Sequence, residues 1–521
     1  MTEYAQPPAL ITDTLDRWVR ERPDREALRF GDRTWSWAQF GDRVSRAAGA
    51  LRAAGLAPGA RIAVLDLNHP SCIELTLACA RTGMVNTVVN FRLAPAEVAY
   101  VINDSTAELL FVGPEFAPMV ESLRAELPAV RRVIRIGGPD DEYESWLAPA
   151  PDTEAHPGSP DDCFLQLYTS GTTGFPKGAM LTHRGMNAHS RNGSATAPAD
   201  PESSVLVAMP LFHVGGSSYA LSVIYHGARM VLSRVPDPGE LLATLERERI
   251  SHTFFVPALI AMMVALPDAA EHDYSALRGL YYGASPMPLP VLRAAMEIFP
   301  NVFVQVYGMT EACGVVTTLG PAEHADRENP HRLISAGRPV PGVRIEIRNP
   351  VNGELLPTGE EGEICVSTEQ LMAGYWNRPE ATASAIGPDG WLRSGDGGHV
   401  DADGYVFVTD RIKDMIISGG ENVYPAEIER VLAEHPAVAD VAVIGVPDDR
   451  WGEVPKAVVV AAAGQTVDEA GLLAYCREQL ASYKCPKSVD VLDELPRNAT
   501  GKILKKDLRK PYWEGRDRQV V

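Results

Sequence analysis

Apolar and polar positions along this chain follow two rhythms that take turns. Arg61 to Leu67 is a short apolar run of strand length, Pro70 to Thr82 reads as a helix, and Met84 to Val89 is strand-like again. The alternation returns downstream. Helices are predicted over Leu241 to Arg249, Ala258 to Leu266 and Leu289 to Phe299, interleaved with strands over Thr253 to Val256, Leu280 to Tyr282 and Val302 to Val306. Alternation of this kind predicts α/β layers built on largely parallel sheets. No repeat of the solenoid type is present.

From Arg338 to Val400 the chain changes character. It becomes rich in Gly and Pro, with short β-like runs at Arg344 to Ile347 and Gly362 to Val366, which predicts a β-rich subdomain over about 338–400. The charged stretch Asp410 to Asp414 is a candidate boundary. Beyond it Pro425 opens a helix carrying Ile428, Val431 and Leu432 at helical spacing. Strands follow at Val441 to Ile444 and Ala457 to Val460, then a helix near Glu469 to Leu480 and a Lys-rich tail, together a compact α+β unit.

The chain has 521 residues, 45% of them hydrophobic and 22% charged, enough for several domains with buried cores. Its net charge of −20 repels nucleic acid and anionic lipid as bulk partners. A polyanionic ligand would therefore need a local concentration of cations and backbone N–H groups. The seven cysteines are odd in number and form no CxxC pair, which disfavours a disulfide framework or a thiolate zinc site and fits a reducing compartment. Met1 to Leu10 lacks the basic and apolar regions of a signal peptide, and no run of about 18 apolar residues is present, so a cytoplasmic chain without a membrane span is expected.

The strongest chemical signal is Tyr168-Thr-Ser-Gly-Thr-Thr-Gly-Phe-Pro-Lys-Gly178. Its glycines let backbone N–H groups turn inward, and Thr169, Ser170, Thr172, Thr173 and Lys177 add donors, a composition suited to polyphosphate. The bland alternative is a polar surface loop. GxxxxGK[ST] is absent, so this is not a Walker A loop.

At this loop the sequence resembles the adenylate-forming superfamily of acyl-CoA synthetases, adenylation domains and firefly luciferase, most of all bacterial fatty-acyl and aryl-CoA ligases. The resemblance spans nearly the whole chain, and seven further motifs arrive in the family's order. Met209-Pro-Leu-Phe-His-Val-Gly-Gly216 resembles the segment fronting an acyl pocket, which makes His213 and Gly215 substrate residues. Gly283-Ala-Ser-Pro286 resembles the strip against adenine, so Gly283, Ala284 and Ser285 face nucleotide. Val306-Tyr-Gly-Met-Thr-Glu311 resembles the segment that places Tyr307, Gly308, Met309 and Thr310 on the nucleotide and Glu311 on magnesium, with Thr169 as a second metal contact. Ser394-Gly-Asp396 resembles the ribose site. Asp410-Arg-Ile-Lys413 resembles the ribose arginine, Arg411, followed by the hinge, Lys413. Ser418-Gly-Gly-Glu-Asn422 places Gly419 and Gly420 toward coenzyme A. Pro496-Arg-Asn-Ala-Thr-Gly-Lys502 resembles the loop of the catalytic lysine. Phe175 at the loop tip and Lys413, where some relatives carry Asp, depart from the commonest pattern without altering it.

The resemblance implies an α/β fold. A large N-terminal domain (1–410) would hold two α/β subdomains and the β-rich one, 411–414 would be the hinge, and 415–521 a small mobile lid. It implies ATP and magnesium as cofactors, coenzyme A as co-substrate, and catalysis by Lys502, Thr310, Glu311 and His213. Attack of a carboxylate on the α-phosphate brings two anions together, so Lys502, Thr310, the loop Ser170–Gly171–Thr172–Thr173–Gly174 and a metal would neutralise that charge. Transfer from the mixed anhydride needs no side-chain nucleophile, and neither GxSxG nor HExxH is present.

The expected reaction is carboxylate plus ATP to acyl-AMP and pyrophosphate, then transfer to coenzyme A. A medium- to long-chain fatty acid is the first expectation and an aromatic or alicyclic acid the second. A separate carrier protein or an amine is the alternative acceptor, a homodimer is left open, and a dead nucleotide-binding regulator is disfavoured because Lys502 and Glu311 are both present. The acyl pocket is expected to include His213, Gly215, Tyr219, Val256, Tyr282, Gly283 and Gly308. Arg234 is read as a solvated surface arginine in preference to a coenzyme A contact, and Met262–Met263 as core.

Overall fold

The computed structural model describes residues 8–148, 156–169, 176–418, 421–448, 450–480, 482, 484–497 and 503–514, and of residues 410, 411, 413, 417, 421 and 422 the backbone alone. Four sheets organise them. In the first, Cys163–Thr169, Val85–Val88, Arg61–Leu65, Ala107–Val112 and Arg132–Arg135 run parallel, and Lys177–Thr182 and then the short Gly374–Tyr375 extend it antiparallel on one side. In the second, Phe303–Met309, Gly279–Gly283, His252–Phe255, Ser204–Val207, Arg229–Leu232 and Glu26–Phe30 run parallel, with antiparallel strands on both edges. The α/β layers and largely parallel sheets expected from the apolar rhythm are both there.

Local chemistry sets the ends of these elements. The helix Pro70–Thr82 begins with proline at its first position, where a missing N–H costs nothing, and ends at Gly83 with φ +74°, the left-handed cap that glycine adopts without penalty. The helix Val214–His226 is capped by His213, whose Nδ1 accepts from the Gly215 N–H at 3.1 Å, and ends at Gly227 with φ +71°. The largest apolar cluster joins these helices and Trp37–Ala53 to strand residues of both sheets, including Ile62, Val64, Val205, Val207 and Met230.

The third sheet is wholly antiparallel and spans Val343–Arg348, Gly362–Thr368, Leu392–Val400 and Val406–Arg411. It is wider than the expected 338–400 at one end and narrower at the other. Arg338–Pro339 instead pairs with Gly314–Leu319 in the second sheet. At the far end Gly404, φ +84°, turns the chain back so that Val406–Arg411 becomes another partner strand. The fourth sheet lies after residue 415. Its long hairpin Val438–Asp448 and Gly452–Ala461 packs with helices Pro425–Ala433, Glu469–Gln479 and Lys505–Trp513 around apolar clusters drawn from that region alone. The molecule is thus a large α/β region followed by a small α+β domain with its own core. Among the described residues no helix is long and apolar enough to cross a membrane, and the seven cysteines are free thiols.

Candidate active site

The two ends of the Gly-rich loop sit opposite each other. Thr169 closes one strand, Lys177 opens the next, and the two residues pair in register. Residues 170–175, and with them Ser170, Gly171, Thr172, Thr173, Gly174 and Phe175, lie outside the described residues. The base of the loop is anchored. Tyr168 Oη donates to Asp104 Oδ2 at 2.7 Å, Arg378 donates to Asp104 Oδ1 at 2.7 Å, and Trp376 Nε1 donates to the Asp104 carbonyl at 3.1 Å. Burial and the Asp104 carboxylate push the Tyr168 phenol up, so it stays a donor. Tyr100 Oη donates to the Pro176 carbonyl at 3.2 Å.

This anchoring carries Gly374–Tyr375 against the strand Lys177–Thr182, where Tyr375 pairs with Ala179. The Tyr375 ring lies 4.4 Å from Lys177 Nζ, and its hydroxyl donates to Glu311 Oε1 at 2.7 Å. One aromatic residue therefore touches both the loop lysine and the expected metal carboxylate. Sequence reasoning missed Tyr375, because it lies far along the chain in a stretch with no motif of its own.

Thr310 and Glu311 occupy a single 3₁₀ turn, Thr310–Ala312, at the end of the parallel strand Phe303–Met309. Cys313, φ +55°, follows in the left-handed region. The opening at the carboxyl ends of parallel strands is where open α/β sheets bind ligands. Glu311 Oε2 makes no hydrogen bond to the described residues, and Thr169 Oγ1 reaches the Lys177 carbonyl only at 3.5 Å. One carboxylate oxygen and one hydroxyl are hard donors of the kind magnesium takes when phosphate oxygens and water complete its shell. No group of three or more His, Cys, Asp or Glu residues suited to a metal occurs among the described residues. The donor set fits an ion that arrives with a triphosphate.

Asp396 is buried, and Tyr307 Oη donates to its Oδ2 at 2.7 Å. It pairs across the third sheet with Arg411, which brings the two expected ribose residues side by side. Tyr307 thus has a positioning contact as well as its expected place on the nucleotide. Met309 is the last residue of its strand. Lys413 lies in the turn Ile412–Asp414 between the third and fourth sheets, the place expected of a hinge. Asp414 accepts from Arg509 at 2.7 Å, tying that turn to the final helix. Gly419, Gly420 and Lys502 lie outside the described residues. Their flanks are close-paired: Ser418 faces Glu421, and Arg497 faces Ile503.

The acyl-pocket expectations divide by strand face. Side chains alternate along a strand. Tyr282 points away from the pocket: its hydroxyl lies 2.9 Å from His324 Nε2 within the core of the second sheet. His324 Nδ1 faces the Gly320 carbonyl at 2.7 Å and donates to it, so Nε2 is the acceptor for Tyr282. Tyr282, expected in the pocket, therefore belongs to the core; its neighbour Tyr281 points to the other face and joins Met209, Phe254, Val304 and Val306, with Tyr219 and Val256 packed against them. A Cβ on Gly215 would lie 3.0 Å from Phe254 Cε1 and 3.5 Å from Met209 Cε, so Gly215 faces this cluster, and 3.3 Å from Nδ1 of His213, the capping residue two positions earlier.

Gly283 and Gly308 are glycines for backbone reasons. A Cβ on Gly283 would lie 2.1 Å from the Val306 carbonyl oxygen, and one on Gly308 would lie 2.0 Å from that of Gly314. The adjacent strand thus forbids a side chain at Gly283 whether or not a ligand passes beside it. Ala284 sits at φ +65° and Ser285 beside it is half-buried, so the strip after this strand turns sharply where the adenine is expected. Arg234 is no solvated arginine. It bonds Asp66 at 3.0 Å and Glu115 at 2.7 Å. Met263 is buried but Met262 is 53% exposed, so the pair is only half core.

Residues 15–376 match the AMP-binding enzyme family, and residues 427–502 match the AMP-binding enzyme C-terminal domain. The chain is similar to a feruloyl-CoA synthase from Amycolatopsis, with 42% identity over 497 residues covering 95% of this chain and 98% of the relative. It is similar to the fatty acid–[acyl-carrier-protein] ligase ScoC of Streptomyces coeruleorubidus, at 38% identity over 98% of each chain. Among solved structures it resembles the anthranilate CoA ligase AuaEII in complex with anthranoyl-AMP, with a TM-score of 0.89 and 28% identity over 97% of this chain and 98% of the other.

Proposed function

We propose, from the premise that this chain belongs to the AMP-binding enzyme family and is an AMP-forming acyl- or aryl-CoA ligase, that its acid is aromatic. The observation that carries this reading is the pocket wall. Tyr219 stands between Phe254 and Tyr281 with ring centroids 6.0 Å from each, at angles of 77° and 59°. Rings tilted in this way favour edge-to-face contact with another ring. The names of two relatives, a feruloyl-CoA synthase and an anthranilate CoA ligase, support the same substrate class.

In this reading Lys177 and the Gly-rich loop hold the triphosphate, and Thr310 meets the α-phosphate. Asp396 and Arg411 hold the ribose, and Lys502 neutralises the phosphate under attack. Magnesium, held by Glu311 and Thr169, would supply charge neutralisation between the phosphates. Gly419 and Gly420 present coenzyme A after Lys502 withdraws, a rotation about Lys413 of the gating kind. A free-standing carrier protein is a second acceptor to assay, because ScoC bears that acceptor in its name.

The test is a panel of acids scored by thioester formation. Cinnamate- and benzoate-type acids should exceed octanoate and palmitate in kcat/KM by about tenfold or more. A preference for octanoate or palmitate of that size would return the assignment to fatty acids.

A further inference from the structure

Beyond the aromatic rings, the same wall ends in polar groups, and two of their atoms have no partner among the described residues. The helix Val214–His226 presents Tyr219, Ser222 and His226 on one face, three and four residues apart. These three, with Ser194, His252 and Tyr281, line a cavity of about 20 Å³. Ala197 and Tyr281 belong both to this cavity and to the apolar wall around Phe254, so the cavity is the inner end of the acyl pocket. A space of that size takes one water-sized group.

The hydroxyl of Tyr219 is buried and has no hydrogen-bond partner among the described residues. Its neighbour is different: Tyr281 Oη donates to the Ala197 carbonyl at 2.5 Å. His226 Nε2 lies 2.7 Å from Ser194 Oγ and 3.2 Å from the Ser190 carbonyl, whereas its Nδ1 is buried without a partner among the described residues. Burial keeps both groups neutral, raising the Tyr219 phenol and lowering the His226 imidazole. Buried polar groups are nearly always hydrogen-bonded, so two unpartnered ones at one small cavity call for a partner seated in it, a water in the empty pocket and a polar substituent of the acid in the filled one.

We infer that the inner end of the acyl pocket is a seat for one hydroxyl substituent on an aromatic acid, and that Tyr219 Oη is the group that hydrogen-bonds it. This rests on the aromatic-acid reading above. The seat selects by what it leaves unsatisfied. An acid carrying the hydroxyl completes the bond, whereas a site lacking its partner strands the substrate's buried hydroxyl.

The experiment measures kcat/KM for cinnamate and for the better of 3- and 4-hydroxycinnamate, in the wild-type chain and in Tyr219→Phe and Tyr281→Phe. In Tyr219→Phe the ratio of hydroxylated to plain acid should fall about tenfold or more. The thermal midpoint should hold or rise, since the deleted hydroxyl has no internal partner to lose. In Tyr281→Phe, which loses a bond within the protein, both acids should suffer alike and the ratio should stand. An unmoved ratio in Tyr219→Phe, or an equal fall in both variants, overturns the seat while the aromatic reading stands. A wild-type chain that turns over neither cinnamate but does turn over octanoate overturns the aromatic reading, and the seat with it.

Discussion

At the scale of single residues, the candidate site is oriented by two tyrosines, of which one, Tyr375, stands in no motif. Lys177, Glu311 and Asp396 each stand in a recognisable segment, and the resemblance of those segments implies phosphate, metal and ribose. What orients each of them comes from another part of the chain. Tyr375 holds Glu311 and lies under Lys177, and Tyr307 holds Asp396. Only the folded chain brings Tyr375 next to a loop some two hundred residues earlier, so its role was not legible. Tyr375→Phe keeps the ring beneath Lys177 and deletes the bond to Glu311. Losing a hydrogen bond to a charged group costs about 1.5–3 kcal/mol, so the KM for MgATP should rise at least about tenfold, with the KM for the acid little changed. Steady-state kinetics at several magnesium concentrations check this. An effect confined to the acid would show that Tyr375 serves the pocket and not the metal carboxylate.

Elements were easiest to read where proline and glycine punctuate them. The helix predicted over Pro70 to Thr82 has those ends in the structure, because Pro70 and Gly83 fix both termini by backbone geometry. The strand Gly279–Gly283 was also found, but its faces were not separated. Tyr282 and Gly283 are adjacent and cannot share a face, a signal already present in the alternation of a strand. The consequence is measurable. Tyr282→Phe removes a buried bond to His324 and leaves an acceptor unpaired, so it should cost about 1–3 kcal/mol of stability. The order of acids in the panel should stay as it was. Denaturant unfolding and the same panel report the two effects separately. A changed order of acids with unchanged stability would put Tyr282 on the pocket side. The third sheet was misjudged at its ends for a related reason. The turn at Gly404 reads as an end in the sequence, and only pairing shows the chain returning as Val406–Arg411.

Across the whole molecule, a chain of net charge −20 handles polyanions by gathering cations and hydroxyls at the mouths of two parallel sheets. The order of motifs made the division into a large α/β region and a small C-terminal domain legible, and the separate apolar cores after residue 415 bear it out. The relative placement of the proposed catalytic groups was not legible, since Lys502 belongs to the C-terminal family segment and Thr310 and Glu311 to the large region, and nothing in the order of motifs says how the two meet. The central claim is that one site first makes an acyl-adenylate and then discharges it to a thiol. The most direct measurement follows both half-reactions by mass spectrometry, first with an aromatic acid and ATP alone, then on adding coenzyme A, in the wild-type chain and in Lys502→Ala. The wild-type chain should accumulate aryl-AMP with pyrophosphate and convert it to aryl-CoA and AMP when coenzyme A arrives. Lys502→Ala should lose about 100- to 1,000-fold in the first half-reaction and still discharge supplied aryl-AMP. Formation of ADP and phosphate, or a thioester arising with no adenylate before it, would contradict the account.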